Sequence, residues 1–264
     1  MRSSYPEVEG VLAHVDKGIL TLTLNRVEKK NAFTQTMYGA MADALAQAST
    51  DSAVRVVVIQ GDANVFSAGN DIADFQTPSK VSQDKPVFRF MEEIARFPKP
   101  VLAAVCGPAV GIGTTLLLHC DLVYAGDNAA FSLPFVNLGL CPEAGSSLLL
   151  PKLLGHQRAS EALLLGEPFF AEAALDMGLV NRIVPPTEAN DHVQAQATKL
   201  AAKPLASLIA TKRLLKQDSQ AAMIARIREE ALIFAEMLQG PAAQEAFAAF
   251  MEKRKPDFSK LAAQ

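Results

Sequence analysis

Three short stretches of this chain carry residue types and spacings suited to chemistry. The first runs from Phe66 through Ser67, Ala68, Gly69 and Asn70 to Asp71. Its small residues let a ligand approach the backbone closely, and Gly69 permits a positive φ that can turn the following peptide N–H outward. The Asn70 amide is therefore a candidate anion donor, although the same pattern fits a plain strand-to-helix loop with Asp71 near a helix N-terminus. The second stretch, Cys106 to Thr115, contains Gly107, Gly111 and Gly113. If it leads from a buried strand into a buried helix, the free N–H groups and positive dipole end near Gly111, Ile112 and Gly113 suit a developing oxyanion. Tight helix packing explains the same glycines. The spacing matches neither the dinucleotide fingerprint nor the P-loop. The third stretch, Leu133 to Ser147, holds a single carboxylate, Glu143, between Pro142 and Ala144-Gly145. A lone acid in apolar surroundings has its pKa raised toward that of a useful general base; an acid favoured by a helix N-terminus is the other reading. His119 lies among leucines and reads as a core histidine, and no GxSxG elbow accompanies His14, His156 or His192 to make a hydrolase triad.

The elements that must position these stretches follow from periodicity. Val11, Ala13 and Val15, then Ile19 to Leu24, alternate around Asp16-Lys17-Gly18 and predict a hairpin. Thr34 caps a predicted helix reaching about Ser49. Val54 to Gln60, Val101 to Cys106 and Leu122 to Ala125 are nearly continuous apolar runs, the pattern of strands covered on both faces, so the fold class is α/β. Gly107-Pro108 divides the uncharged span Val101 to Cys120 into strand, turn and buried helix, which argues against a membrane span. From about Arg158 onward the pattern is mostly helical: Arg158 to Leu165, Ala171 to Met177, Glu188 to Ala202, Leu205 to Lys216, Ala221 to Leu238 and Ala242 to Arg254.

Composition narrows the classes further. The chain has 264 residues, 50% hydrophobic and 20% charged, with 15 Gly and 15 Pro, which suits a globular protein of one large domain or slightly more. A formal net charge of −3 without a long basic run makes nucleic acid an unexpected partner. Cys106, Cys120 and Cys141 are odd in number and lack metal-ligand spacing, so neither a disulfide framework nor a metal site is expected. The polar first ten residues lack the apolar core of a signal peptide, the end carries no peroxisomal tripeptide, and the expected location is cytoplasmic.

Taken in order, these stretches resemble the crotonase (enoyl-CoA hydratase/isomerase) superfamily from about Val11 to Phe258. The resemblance rests on Leu24-Asn25-Arg26 with Asn31-Ala32, Phe66 to Asp71, Gly107 to Gly113 leading to Cys120-Asp121, Leu138-Gly139 with Pro142, Gly178-Leu179-Val180 and Phe250 to Lys255. It implies a spiral of ββα units in two sheets over residues 1–200 and a helical C-terminal trimerisation section over 201–264, giving a homotrimer or a hexamer. It also implies an acyl-CoA thioester as substrate, with coenzyme A entering only as part of that substrate and no other cofactor. The thioester oxygen would bind the backbone N–H groups of Asn70 and Ile112; Lys29, Lys30, Ala68, Phe250 and Lys253 would contact CoA, the last two including across a subunit boundary. Ile72, Phe75, Phe88, Met91 and Phe135 would line the acyl pocket, a stripe that also reads as core.

The departures from the family pattern sharpen the expectation. Where the hydratases place two water-flanking glutamates, this chain has Thr115 and Phe135. Glu143 instead occupies the position of the sole catalytic acid of the delta-3, delta-2-enoyl-CoA isomerases of peroxisomal type, which Lys29-Lys30-Asn31-Ala32 and Pro142 to Ser147 also resemble. One carboxylate suffices for a 1,3-proton shift, whereas hydration needs a second group to activate water. The resemblance thus implies an isomerase that converts 3-enoyl-CoA to 2-trans-enoyl-CoA, with a hydratase or another crotonase activity, and a non-catalytic acyl-CoA-binding protein, as alternatives.

Overall fold

The first two alternating stretches close into a hairpin. Strand β1 (Gly10–Asp16) pairs antiparallel with β2 (Ile19–Asn25). The two turn residues between them, Lys17 and Gly18, have φ of 47° and 83°, the hand that follows the twist of the flanking strands. The computed structural model describes residues 5–6, 8–72 and 85–261, and the statements that follow concern those residues.

Next comes helix α1 (Gln35–Thr50), capped by Thr34, whose side chain accepts from the Met37 N–H at 3.2 Å. Strands β3 (Val56–Gln60) and β4 (Val101–Val105) flank helix α2 (Pro86–Arg96), which has a proline in its first turn. Their apolar runs are buried on both faces, and alternate residues part to opposite sides. Val57, Ile59, Val101 and Ala103 enter the main core with α1 and α2, while Val56, Val58, Leu102 and Ala104 face a smaller core.

After β4 the chain forms β5 (Pro108–Val110) and α3 (Ile112–Thr115), then β6 (Leu122–Gly126) and β7 (Ala130–Ser132). Helices α4 (Ser146–Leu154) and α5 (His156–Ser160) lead to β8 (Phe169–Phe170), α6 (Ala171–Asp176) and β9 (Arg182–Val184). Helices α7 (Ala189–Ala201), α8 (Leu205–Leu238) and α9 (Pro241–Met251) complete the chain. One sheet has the order β1-β2-β3-β4-β6-β9, parallel except for the hairpin, and the other is β5-β7-β8. Helix α7 covers the smaller core through Val193 and Ala197.

The helical section is anchored in the same core as the sheet. Met223, Ile224 and Ile227 of α8 join the main cluster, and the buried Lys212 ammonium pairs with Asp121 Oδ2 at 2.7 Å while donating to the Lys99 carbonyl at 2.7 Å. Two expectations need correction. Leu205 to Lys216 and Ala221 to Leu238 are one helix, because the Gln217–Gln220 stretch between them is polar yet contains neither Gly nor Pro to break it. The buried helix opening near Gly111 is only one turn, tightening at Leu116–His119 into a 3-10 turn. Strands β5, β7, β8 and β9, each two or three residues long, escape sequence reading because they are too short to alternate.

Candidate active site

The loop after β2 supplies the first wall. Lys30 and Asn31 take left-handed φ values of 51° and 53°, which turns the Asn31 side chain inward. There it is fully buried, accepting from the Arg26 N–H at 2.7 Å and donating to the Phe66 carbonyl at 3.1 Å. Ser67 completes the seam by donating to the Asn31 carbonyl at 2.9 Å, and Ala68 N–H donates to the Lys30 carbonyl at 2.8 Å. Arg26 and Asp71 pair at 2.6 Å across the same seam. The motif residues of two distant stretches are thus joined mostly by backbone.

The geometry then frees two amides. Phe33 N–H donates to the Gly69 carbonyl, and Asp71 N–H donates to the Phe33 carbonyl, at 2.8 and 2.9 Å. Such a parallel bridge uses the groups flanking Asn70 and turns the Asn70 N–H to the other side. A second bridge, Ser67 to Ala109, lays this segment beside β5, with Ser67 N–H to the Pro108 carbonyl and Val110 N–H to the Ser67 carbonyl, each at 2.9 Å. Gly69 has φ of 90°, and a Cβ there would stand 2.9 Å from the Val110 carbonyl oxygen. Past β5, the Gly111 carbonyl accepts from Thr114 and Thr115, while Ile112 opens α3. Among the described residues neither the Asn70 nor the Ile112 N–H donates to another group. Two fixed N–H groups on bridged segments can stabilise an oxyanion without reorganising. The packing reading of the glycines holds as well, since a Cβ on Gly113 would meet Ser67 at 3.0 Å.

Glu143 sits in a turn in which Ala144 and Gly145 both have positive φ, 59° and 74°. A non-glycine residue there needs support from its surroundings. It comes from two sides: His119 Nε2 meets the Ala144 carbonyl at 2.7 Å, and Glu230 of α8 accepts from the Gly145 and Ser147 N–H groups at 2.6 and 3.0 Å. Burial pushes the His119 pKa down to about 4, so at neutral pH the ring is uncharged and its Nε2–H is assigned as the donor to that carbonyl. Glu143 itself is 5% exposed, and its Oε1 has no hydrogen-bond partner among the described residues. Burial first, and the neighbouring Glu230 charge second, push its pKa up to about 8; the Asn70 side chain, within hydrogen-bonding reach, opposes the rise. A buried carboxyl that titrates near neutrality, in a chain that also leaves two backbone amides free, can move a proton next to a carbonyl that those amides hold.

Other expected site residues are distributed as follows. Thr115 is fully buried with its hydroxyl oxygen unpartnered among the described residues. The ring of Phe135 lies 4.0 Å from where a Cβ on Gly111 would be. Lys29 and Lys30 are exposed beside Ala68. Phe250 and Lys253 stand exposed where α9 ends; α9 itself packs against α8 and the Val136–Leu138 turn. Ile72 and Phe88 are half-buried, Met91 is buried in the main core, and Phe75 lies outside the described residues.

Sequence reading missed Glu230 and the Tyr38 hydroxyl, which donates to Asn70 Oδ1 at 2.5 Å. Glu230 had a usable signal: it continues the buried helical stripe of Met223 and Ile227 at the next inward position. Among the described residues no group of three His, Cys, Asp or Glu side chains is arranged to hold a metal ion, and no helix is long and apolar enough to cross a membrane.

Comparison with known proteins adds four likenesses. The sequence model of the enoyl-CoA hydratase/isomerase family matches residues 14–261. The chain is 34% identical to 2,3-dehydroadipyl-CoA hydratase of Escherichia coli (strain K12) over 243 residues, 91% of this chain and 94% of that protein. It is 38% identical to enoyl-CoA delta isomerase 2 of Rattus norvegicus over 230 residues, 85% of this chain and 59% of that protein. Among solved structures, Pseudomonas aeruginosa OdaA aligns with a TM-score of 0.89 at 48% identity, over 92% of this chain and 99% of that one.

Proposed function

The chain belongs to the enoyl-CoA hydratase/isomerase family and has the crotonase fold, and from that premise we propose that it shifts the double bond of a 3-enoyl-CoA to give the 2-trans-enoyl-CoA. The observation that carries this reading is Glu143, a buried carboxyl with one free oxygen, in a chain whose Asn70 and Ile112 amides are left unpaired, while Thr115 and Phe135 fall at the positions that the family resemblance assigns to the hydratases' acids. Glu143 as carboxylate takes a proton from C2; the C–H pair forms the C1=C2 bond and the carbonyl pair moves onto the thioester oxygen, held by the two amides. The oxygen pair then re-forms the carbonyl, the C1=C2 pair becomes C2=C3, and the former C3=C4 pair takes the proton from Glu143 at C4. No proton is gained or lost overall.

Hydration, the activity named for the Escherichia coli relative, needs a second proton-moving group. Glu230 is the carboxylate whose charge acts on Glu143, but its two oxygens are occupied by the Gly145 and Ser147 N–H groups. This favours isomerisation over hydration. The unpartnered Glu143 Oε1 argues against a non-catalytic acyl-CoA binder, since an idle buried carboxyl only costs stability.

For the rest of the substrate we read Lys29, Lys30 and Ala68 as the CoA-facing edge, with Phe250 and Lys253 contributing from a neighbouring subunit of a homotrimer or hexamer. Exposed Leu214, Leu215, Leu232 and Ile233 on α8, with Phe250 and Met251 at the end of α9, support such assembly. The three cysteines are free thiols, which suits a cytoplasmic location.

The test uses purified protein and both substrates at saturation. Isomerase turnover exceeds hydratase turnover in the parent, and in Glu143→Gln it falls by about 10²- to 10⁴-fold while acyl-CoA affinity changes little. Hydratase turnover above isomerase turnover, or an undiminished isomerase rate in Glu143→Gln, refutes the assignment.

A further inference from the structure

Asn70 faces two ways. Its backbone N–H is one of the two unpaired amides, and its side chain is near enough to the Glu143 carboxyl to favour the carboxylate. A side-chain amide has two chemically opposite ends, and only the NH2 end favours a carboxylate. With the carbonyl end turned toward the ionised Glu143, two acceptors would face each other in a buried site, so the orientation of this amide decides whether the ionised base is supported or opposed.

The group that decides it is Tyr38. Its hydroxyl donates to Asn70 Oδ1 at 2.5 Å, which leaves the Nδ2 hydrogens for the other side. The tyrosine ring is fully buried on α1, stacked on Phe33 with centroids 5.0 Å apart and tilted against Phe90 at 5.6 Å. It is therefore held by packing, independent of any ligand. The reaction outlined above makes no use of this hydroxyl.

We propose that Tyr38 is a positioning residue: by fixing the Asn70 amide with its NH2 end toward Glu143, it orients the base and favours its ionised form, so that one residue, Asn70, sets both the oxyanion donor and the base. The inference rests on the isomerase reading for its rate effects, but not for its effect on Glu143 titration. Glu230 on α8 and the Cys141 thiol are the titratable groups coupled to Glu143, and His119, which holds the adjacent Ala144, is uncharged at neutral pH. The hydrogen bond from the Tyr38 hydroxyl to Asn70 is the link through which a change at Tyr38 reaches Glu143.

The experiment titrates Glu143 in the free protein by carboxyl infrared difference spectra, with Glu143→Gln as the blank, in the parent, Tyr38→Phe and Asn70→Ala, and measures kcat and KM for 3-enoyl-CoA against pH. Tyr38→Phe is expected to move the Glu143 titration upward by roughly half to one pH unit and to lower kcat about 3- to 10-fold at pH 7 with KM unchanged; Asn70→Ala, which keeps the backbone N–H, moves the titration at least as far. A parental titration in folded Tyr38→Phe overturns the inference. If that variant does not fold, a parental titration in Asn70→Ala overturns it instead. A parent that fails to isomerise but shows the titration shift in its variants refutes the isomerase reading and upholds the role of Tyr38.

Discussion

The two halves of the candidate site are built from different materials. The Asn70 and Ile112 amides are aimed by backbone: two parallel bridges, a positive φ at Gly69 and the start of α3 hold them. The Glu143 turn is held by side chains that come from far away in sequence, with His119 from the 3-10 turn after α3 and Glu230 from α8, while Asn70, bonded to Tyr38 of α1, acts on the carboxyl itself. An aim set by backbone survives most side-chain changes and fails where the backbone itself is disturbed. An aim set by converging side chains is open to single substitutions at any anchor, and these alter the chemistry of the base as well as its place.

Among the groups that hold the two halves in place, the largest expected effect therefore lies on the backbone side. Gly69→Ala puts a Cβ within 2.9 Å of the Val110 carbonyl oxygen at a φ of 90°, so the segment must shift and the Asn70 N–H with it. Loss of one oxyanion donor typically costs about 10²- to 10³-fold in kcat, and the strained conformation adds on the order of 1–3 kcal/mol of destabilisation. Steady-state kinetics alongside thermal denaturation measures both. A kcat within threefold of the parent means that the bridges do not set the amide.

The contrasting change on the side-chain side is Glu230→Gln. It removes a negative charge that raises the Glu143 pKa and one of two acceptors that hold the turn. Two effects follow with different readouts: the acid limb of the kcat/KM profile, which rises with pH through about 8 in the parent as Glu143 ionises, moves to lower pH, and kcat at the plateau falls roughly 10-fold as the turn loosens. A limb that stays in place with kcat reduced assigns Glu230 to geometry alone.

That contrast also explains what was legible in the sequence. The backbone half announces itself, because Gly69, Gly111 and Gly113 are local requirements of close approach and can be read where they stand. Glu143 is legible as the one acid in an apolar stretch. Its supports are not, since His119, Glu230 and Tyr38 are separated from it by tens of residues and each looks locally like part of a core stripe. The same limit governs the fold: strands of five residues or more and the capped helix α1 follow from periodicity, whereas β5, β7 and β8, which form the second sheet, are set by tertiary pairing.

A change at the base itself tests whether it is held at a cost to the fold. Glu143 has a pKa of about 8 in the folded chain against 4.5 as an ordinary glutamate. Because the folded value is raised, the native state binds more protons than the unfolded one between these two pH values, so stability falls as pH rises from about 4.5 to about 8 and is flat with respect to this group above and below. Glu143→Gln has no such group. Relative to the parent, its Tm should therefore gain progressively across that window and then level off, reaching on the order of 1–4 kcal/mol, a few degrees or more in a chain of this size. Melting curves of both proteins from pH 4 to 9 decide the matter. A Tm difference independent of pH would mean that Glu143 keeps the ordinary glutamate value in the native protein, with Asn70 and the rest of the pocket already offsetting its burial, and the side-chain half of the site would then be as well balanced as the backbone half.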